Sequence, residues 1–246
     1  MSVVREIIKV LPQQRISYYA DSAHCPYGKK SPDYIIDRAR FITDTLIADG
    51  ADIIVIACNT ATAAAIATLR KEYPQMPFIG TEPAVKPAAE TTKTGVIGIL
   101  ATHGTLTGEK YHNTRDRYAG NVKTVEHVGE GFVELVEQGI LEGPTAQMTV
   151  ASSLRPLIEA GADKIVLGCT HYPFLIDTIR QVAKELAPDR QIEIIDPAPA
   201  IARHLCEVMA TSGISAIDPH AGQHIIRSSD PSSQDAAEDL FRRITQ

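Results

Sequence analysis

The chain has 246 residues, 44% hydrophobic and 22% charged, with a net charge of -6 and a pI near 5.7. This composition supports one large or two small packed domains and excludes a disordered chain. No basic stripe marks a nucleic-acid surface, no apolar run is long enough for a bilayer, and Met1-Ser2-Val3-Val4-Arg5-Glu6 lacks a signal-peptide core. The expected compartment is therefore the cytoplasm, where the four cysteines are expected as thiols.

In chain order, residues 2–11 have an amphipathic helical pattern with Ser2 as the expected N-cap, and 15–20 read as a strand. A loop over 21–31 carries Pro26-Tyr27-Gly28. A long helix over 32–49 stops at Gly50, a strand of β-branched residues covers 52–57, and an Ala-rich helix covers 61–73. A short strand at 78–80 leads to a helix from about Ala84. A second series follows: strand 95–100, turn 101–107, helix 109–118, strand 122–127, a helical stretch 132–138 and helix 144–160. A strand after Gly161, helix 173–186, strand 191–195 and helix 199–209 complete it. The tail from Thr211 is polar, its Ser228-Ser229-Asp230-Pro231-Ser232-Ser233 stretch reads as a loop, and a last amphipathic helix is expected over 235–245.

One passage occurs twice. Gly50-Ala51-Asp52-Ile53-Ile54-Val55-Ile56-Ala57-Cys58-Asn59-Thr60 is echoed by Gly161-Ala162-Asp163-Lys164-Ile165-Val166-Leu167-Gly168-Cys169-Thr170-His171. Each copy reads as a helix ending at Gly, a buried strand, then a Cys at the strand's carboxyl end, where open α/β sheets bind ligands. Apolar strands alternating with helices argue for parallel sheets covered on both faces. The expected fold is therefore α/β: two similar domains with parallel-type sheets flanked by helices and an active site in the cleft between them. The expected division is 1–81 plus 191–246, carrying Cys58, and 82–190, carrying Cys169.

Two matched thiols suit a reaction needing one sulfur on each side of a substrate. Thiol and thiolate are both accessible near neutrality, so one Cys could take an α-proton while the other delivers one to the opposite face. The plain alternative is that each Cys is a small core hydrophobe. Asn59-Thr60 and Thr170-His171 follow the thiols, where strand-to-helix turns gather donors for a carboxylate; ordinary helix capping would use the same residues. His171 could polarise Cys169 or donate to a substrate carboxylate. Tyr27 offers a hydroxyl, Gly28 a close backbone approach, and Thr102 and Thr105 further hydroxyls. Glu137, by itself, reads as a solvated helix face. Cys25 and Cys206 are expected to be structural. No Cys/His spacing suggests a metal site, and Gly95-x-x-Gly98 completes no dinucleotide fingerprint, so neither zinc nor a nicotinamide cofactor is expected.

Ala57-Cys58-Asn59-Thr60-Ala61, Gly168-Cys169-Thr170-His171-Tyr172-Pro173 and Cys25-Pro26-Tyr27-Gly28-Lys29-Lys30-Ser31 resemble signature motifs of the bacterial glutamate racemases, and the similarity runs through nearly the whole chain. The resemblance implies cofactor-independent interconversion of L- and D-glutamate for peptidoglycan synthesis, with Cys58 and Cys169 as the proton-transfer pair. It implies substrate contacts from Tyr27, Gly28, Asn59, Thr60, Thr102, Thr105, Thr170 and His171, and makes Glu137 an acidic support of the second thiol. It implies glutamate as the partner, with no nucleic acid or membrane, and is compatible with a homodimer. The family begins with a strand ending in Asp-Ser-Gly-x-Gly-Gly, ahead of the helix in which this chain opens. Two expectations follow: a truncated reading of a longer racemase, or a degenerate paralogue that binds without turnover. Loss of a central strand would leave neighbouring edges unpaired. A two-cysteine racemase of another small acidic amino acid is a further alternative.

Overall fold

A computed structural model describes residues 1–245; the side chain of Lys29 lies outside the described set. The chain divides into two units, residues 1–81 with 198–246 and residues 82–197.

In the first unit, helix α1 (Ser2–Val10) presents Val3, Val4 and Ile7 to the core. Met1, not Ser2, occupies its N-cap, and no side chain caps it, because Ser2 already lies inside the helix and is buried. Strand β1 (Ser17–Ala20) leads through the Tyr27 loop to helix α2 (Pro32–Ala48). There Ser31 accepts the Tyr34 N–H and Pro32 pre-sets the first turn. Gly50, at φ +86°, turns the chain in a left-handed conformation into β2 (Ile54–Ile56). Helix α3 (Asn59–Glu72) and β3 (Phe78–Gly80) follow.

The second unit holds α4 (Val85–Thr91), β4 (Val96–Ala101), α5 (His103–Leu106), α6 (Glu109–Tyr118), β5 (Lys123–Val128) and α7 (Phe132–Glu137). It continues through α8 (Gly143–Glu159), β6 (Lys164–Gly168), a 3-10 turn (Tyr172–Leu175), α9 (Ile176–Leu186) and β7 (Glu193–Ile195). The chain then returns to the first unit as α10 (Ala198–Thr211), β8 (Ile225–Ser228) and α11 (Gln234–Thr245).

Every strand pairing is parallel. The second unit has one four-stranded sheet in the order β5-β4-β6-β7. Its central strands β4 and β6 are largely apolar on both sides because both faces are covered: Leu100, Ile165 and Leu167 enter one cluster with α8 and α9, while Ile97, Ile99 and Val166 enter another with Val85 and Tyr111. The first unit instead has two separate pairs, β1-β8 and β2-β3. Its core is divided likewise. Val3, Ile7 and Leu11 pack with Ile79, Ile201 and Leu205, while Ile54, Ile66, Leu69 and Phe78 form a second group.

Four sequence expectations need correction. Residues 191–197 belong to the second unit, because Lys164↔Glu193 to Val166↔Ile195 pairing adds β7 to its sheet. The polar tail holds a strand that was not expected: Ile225–Ser228 forms β8, in register with Ser17 to Ala20, and takes in the first residue of the stretch read as a loop. Its pattern is too short and too polar at its flanks to signal a strand, and the partner is some two hundred residues away in sequence. The turn at 101–107 contains α5, and the helix expected over 173–186 opens as a 3-10 turn before α9.

Candidate active site

In the first unit Cys58 occupies the N-cap of α3, with extended backbone (φ -152°, ψ 119°). Its Sγ accepts the Ala61 N–H at 3.5 Å, and the N–H and hydroxyl of Thr60 also bond to it. A helix N-terminus offers free N–H groups and a positive dipole end, which favour thiolate. Burial acts the other way and is the larger effect, so it pushes the Cys58 thiol above its ordinary range in spite of those donors. Thr62 ties this end of the helix down: its hydroxyl donates to the Ile56 carbonyl at 3.1 Å and accepts the Thr81 N–H at 3.0 Å.

Asn59 is 4% exposed, and neither its Oδ1 nor its Nδ2 has a partner. An unsatisfied buried amide is costly, so a ligand that both donates and accepts would relieve it. Tyr27 and Gly28 lie in a 3-10 turn (Tyr27–Lys29). Tyr27 forms a small buried cluster with Ile35 and Ala61, against which Ile56 and Cys58 pack. Its hydroxyl donates to Asp21, so the Tyr27 proton is already committed. Thus Cys58, Asn59, Thr60, Tyr27 and Gly28 come from neighbouring segments of the first unit.

In the second unit Cys169 leaves the end of β6. Gly168 before it has no room for a side chain: a Cβ would lie 2.5 Å from the Ala101 Cβ. Because Ala101 pairs with Gly168, Thr102 and Cys169 leave the sheet side by side. Thr102 caps α5 by accepting the Thr105 N–H at 3.3 Å, and the two hydroxyls are 3.0 Å apart. Cys169 Sγ lies 3.8 Å from His171 Nδ1, and His171 Nε2 lies 2.7 Å from Glu137 Oε1. The bond from His171 holds the Glu137 carboxyl below its ordinary range, against the opposing push of burial. Glu137 is therefore not a merely solvated helix residue; it orients the imidazole beside the thiol. Thr170 lies between Cys169 and His171, half-buried.

Three contributors escaped the sequence reading: Asp21, which holds Tyr27, and the Tyr172–Gly129 contact beneath the second thiol. Tyr172 is fully buried, donates to the Gly129 carbonyl at 3.3 Å and packs on Phe132 with ring centroids 4.9 Å apart. A Cβ on Gly129 would lie 2.5 Å from its hydroxyl oxygen. The polar position of Asp21 directly after a strand was the one available signal. Among the described residues, no group of three or more His, Cys, Asp or Glu could hold a metal ion, and no helix is long and apolar enough to cross a membrane.

Residues 1–205 match the family model described as Asp/Glu/Hydantoin racemase. The chain belongs to that family. The glutamate racemase of Ectopseudomonas mendocina is 45% identical over 219 residues, covering 89% of this chain and 81% of the relative. That of Roseiflexus is 43% identical, covering 87% and 77%. Among solved structures, a Bacillus anthracis glutamate racemase has a TM-score of 0.84 at 30% identity, covering 98% of this chain and 89% of that one. The Escherichia coli glutamate racemase, in complex with L-glutamate and the activator UDP-MurNAc-ala, has a TM-score of 0.85 at 29% identity, covering 99% and 90%.

Proposed function

We propose that this chain is a glutamate racemase, and that Cys58 and Cys169 are its acid–base pair. The observation that carries the reading is the chemical support given to each echoed thiol: backbone and Thr60 donors around Cys58, and the His171–Glu137 pair beside Cys169. One sulfur starts as thiolate and removes the α-proton, breaking the C–H bond and leaving its electron pair on the carbon. The other starts as thiol and delivers its proton to the opposite face. The product is the enantiomer, and the thiol and thiolate roles are exchanged. No other acid or base is required.

The developing negative charge on the substrate calls for preorganised donors. Asn59, Thr60, Thr102, Thr105, Thr170 and His171 supply amide, hydroxyl and imidazole groups for its carboxylates and amino group, and the Tyr27–Gly28 turn supplies backbone. The family match and the named relatives support glutamate as substrate, and with it a supply of D-glutamate for peptidoglycan in the cytoplasm. Homodimerisation belongs to the same reading and is tested by sedimentation.

The deciding experiment follows circular dichroism of L-glutamate, D-glutamate and aspartate with the purified 246-residue chain, together with α-proton exchange in deuterated water. Racemisation of both glutamate enantiomers with exchange is expected. Glutamate binding without exchange would leave a non-catalytic binding protein, and faster turnover of aspartate would reassign the substrate.

A further inference from the structure

Asp21 directly follows β1, and Ser229 directly follows β8. The Ala20↔Ser228 pairing sets them side by side as the two strands end, and the Ser229 N–H closes the pair by donating to the Ala20 carbonyl at 2.9 Å. The Asp21 side chain is 6% exposed and receives several donors. Arg38, from the second turn of α2, donates twice: Nη2 to Oδ1 at 2.6 Å and Nε to Oδ2 at 3.1 Å. The Tyr27 hydroxyl donates to Oδ2, and the Ser229 hydroxyl donates to the same carboxylate. Ser229 also accepts the Ala23 N–H at 3.0 Å, which ties the start of the loop to the end of β8. A carboxylate so occupied has little capacity left for a ligand, and a guanidinium in fork geometry is held firmly. The group is thus a brace rather than a binding site. What it braces is the Tyr27 ring, which forms a small cluster with Ile35 and Ala61; Cys58 at the start of α3 packs against that cluster and is near enough to Tyr27 to act on it electrostatically.

We propose that Asp21 and Arg38 are positioning residues for the first thiol: with Ser229 they lock the Tyr27 ring as a wall against Cys58, and this wall limits access to the sulfur and fixes its place. The proposal rests on the reading of Cys58 as a reacting thiol. Tyr27 then acts through its ring and loop backbone, since its hydroxyl proton is engaged by Asp21. The tail strand β8 acquires a purpose as well, because without Ser229 the carboxylate and the loop lose their common anchor.

The test compares N-ethylmaleimide labelling of Cys58 and Cys169, read by peptide mass spectrometry on the full chain, with Asp21→Asn and Tyr27→Phe as variants. Each variant is expected to raise the Cys58 rate by about tenfold while Cys169 stays within about twofold, since the loss of a hydrogen bond to a charged group opens the loop locally. The double variant is expected to label no faster than the faster single one, because both changes act on the same Tyr27–Asp21 bond, which Tyr27→Phe removes and Asp21→Asn weakens together with the Arg38 pair. Racemase assays on the same proteins are expected to show kcat falling while KM moves less. Unchanged Cys58 labelling in folded variants, or equal acceleration of both thiols, would overturn the proposal; Tyr27→Phe keeps the ring volume and decides the matter if Asp21→Asn does not fold. A Cys58→Ser enzyme that racemised normally would instead remove the functional reading, with the labelling result unaffected.

Discussion

At the end of β2 the Cys58 thiol caps a fourteen-residue helix and draws on backbone donors, whereas at the end of β6 the Cys169 thiol enters a 3-10 turn and meets an imidazole. The letters before the two sulfurs are nearly the same, and the strands are alike in being parallel and apolar. The support differs in kind. Around Cys58 it is fixed dipoles, which do not titrate, opposed by a stronger burial effect that favours the thiol. Around Cys169 it is an imidazole held by a carboxylate on another element. The upstream Asp residues diverge too. Asp163 accepts bonds from the Thr92 hydroxyl at 2.5 Å, the Lys93 N–H at 2.7 Å and the Thr94 hydroxyl at 3.2 Å, while Asp52 is exposed. A repeated sequence therefore repeats the strand and the thiol, but each copy's chemistry comes from what surrounds it.

The strongest break in the comparison is removal of either sulfur. Cys58→Ser and Cys169→Ser are each expected to cut racemisation in both directions by about 10²–10⁴-fold, the range for loss of a positioned acid or base, as followed by circular dichroism. Near-normal turnover in either variant would end the two-thiol mechanism.

Removal of the support around one thiol should be milder. Glu137→Gln leaves His171 in place and is expected to lower kcat by about tenfold, with a changed pH profile. A mutant with the wild-type profile would show that the pair only fills space. The same bond has a stability consequence. The Glu137 carboxyl is lowered in the folded protein, so its contribution is present above the ordinary carboxyl range and is lost as pH falls through the lowered value. The Tm difference between wild type and Glu137→Gln should therefore shrink on acidification from neutral pH to below that range. A gap that widened would mean the sign is wrong.

The two aspartates give a comparison in stability alone. Asp163→Ala is expected to cost about 2–3 kcal/mol in urea unfolding, since it leaves several donors of the Thr92 to Thr94 turn without their acceptor. Asp52→Ala is expected to stay within about 0.5 kcal/mol, as exposed positions do. Equal losses at both positions would mean that the repeat is structural throughout. In the same assay Gly168→Ala is expected to cost about 1–3 kcal/mol through overpacking against Ala101.

Much of this was legible in the residues. The echo around Cys58 and Cys169 marked both strand ends because a buried parallel strand is a short apolar run bounded by Gly and polar residues, and that pattern is local. Helix α6 was readable to both ends, Glu109–Tyr118, for the same reason. Strand β8 was not, since four residues, none of them fully buried, become a strand only through β1. Glu137 was visible from the family resemblance but not from its own neighbourhood, because its partner His171 lies on another element.

The sequence by itself determined the parallel α/β layering and the two thiol-bearing strand ends, because hydrophobic periodicity and glycine stops act over a few residues. Only the tertiary structure decided which groups stand beside each sulfur, that Asp21 accepts the hydrogen bond of the Tyr27 hydroxyl, and that β7 joins the second unit's sheet. Those outcomes depend on distances between segments far apart along the chain, and such distances are set by packing rather than by any local pattern.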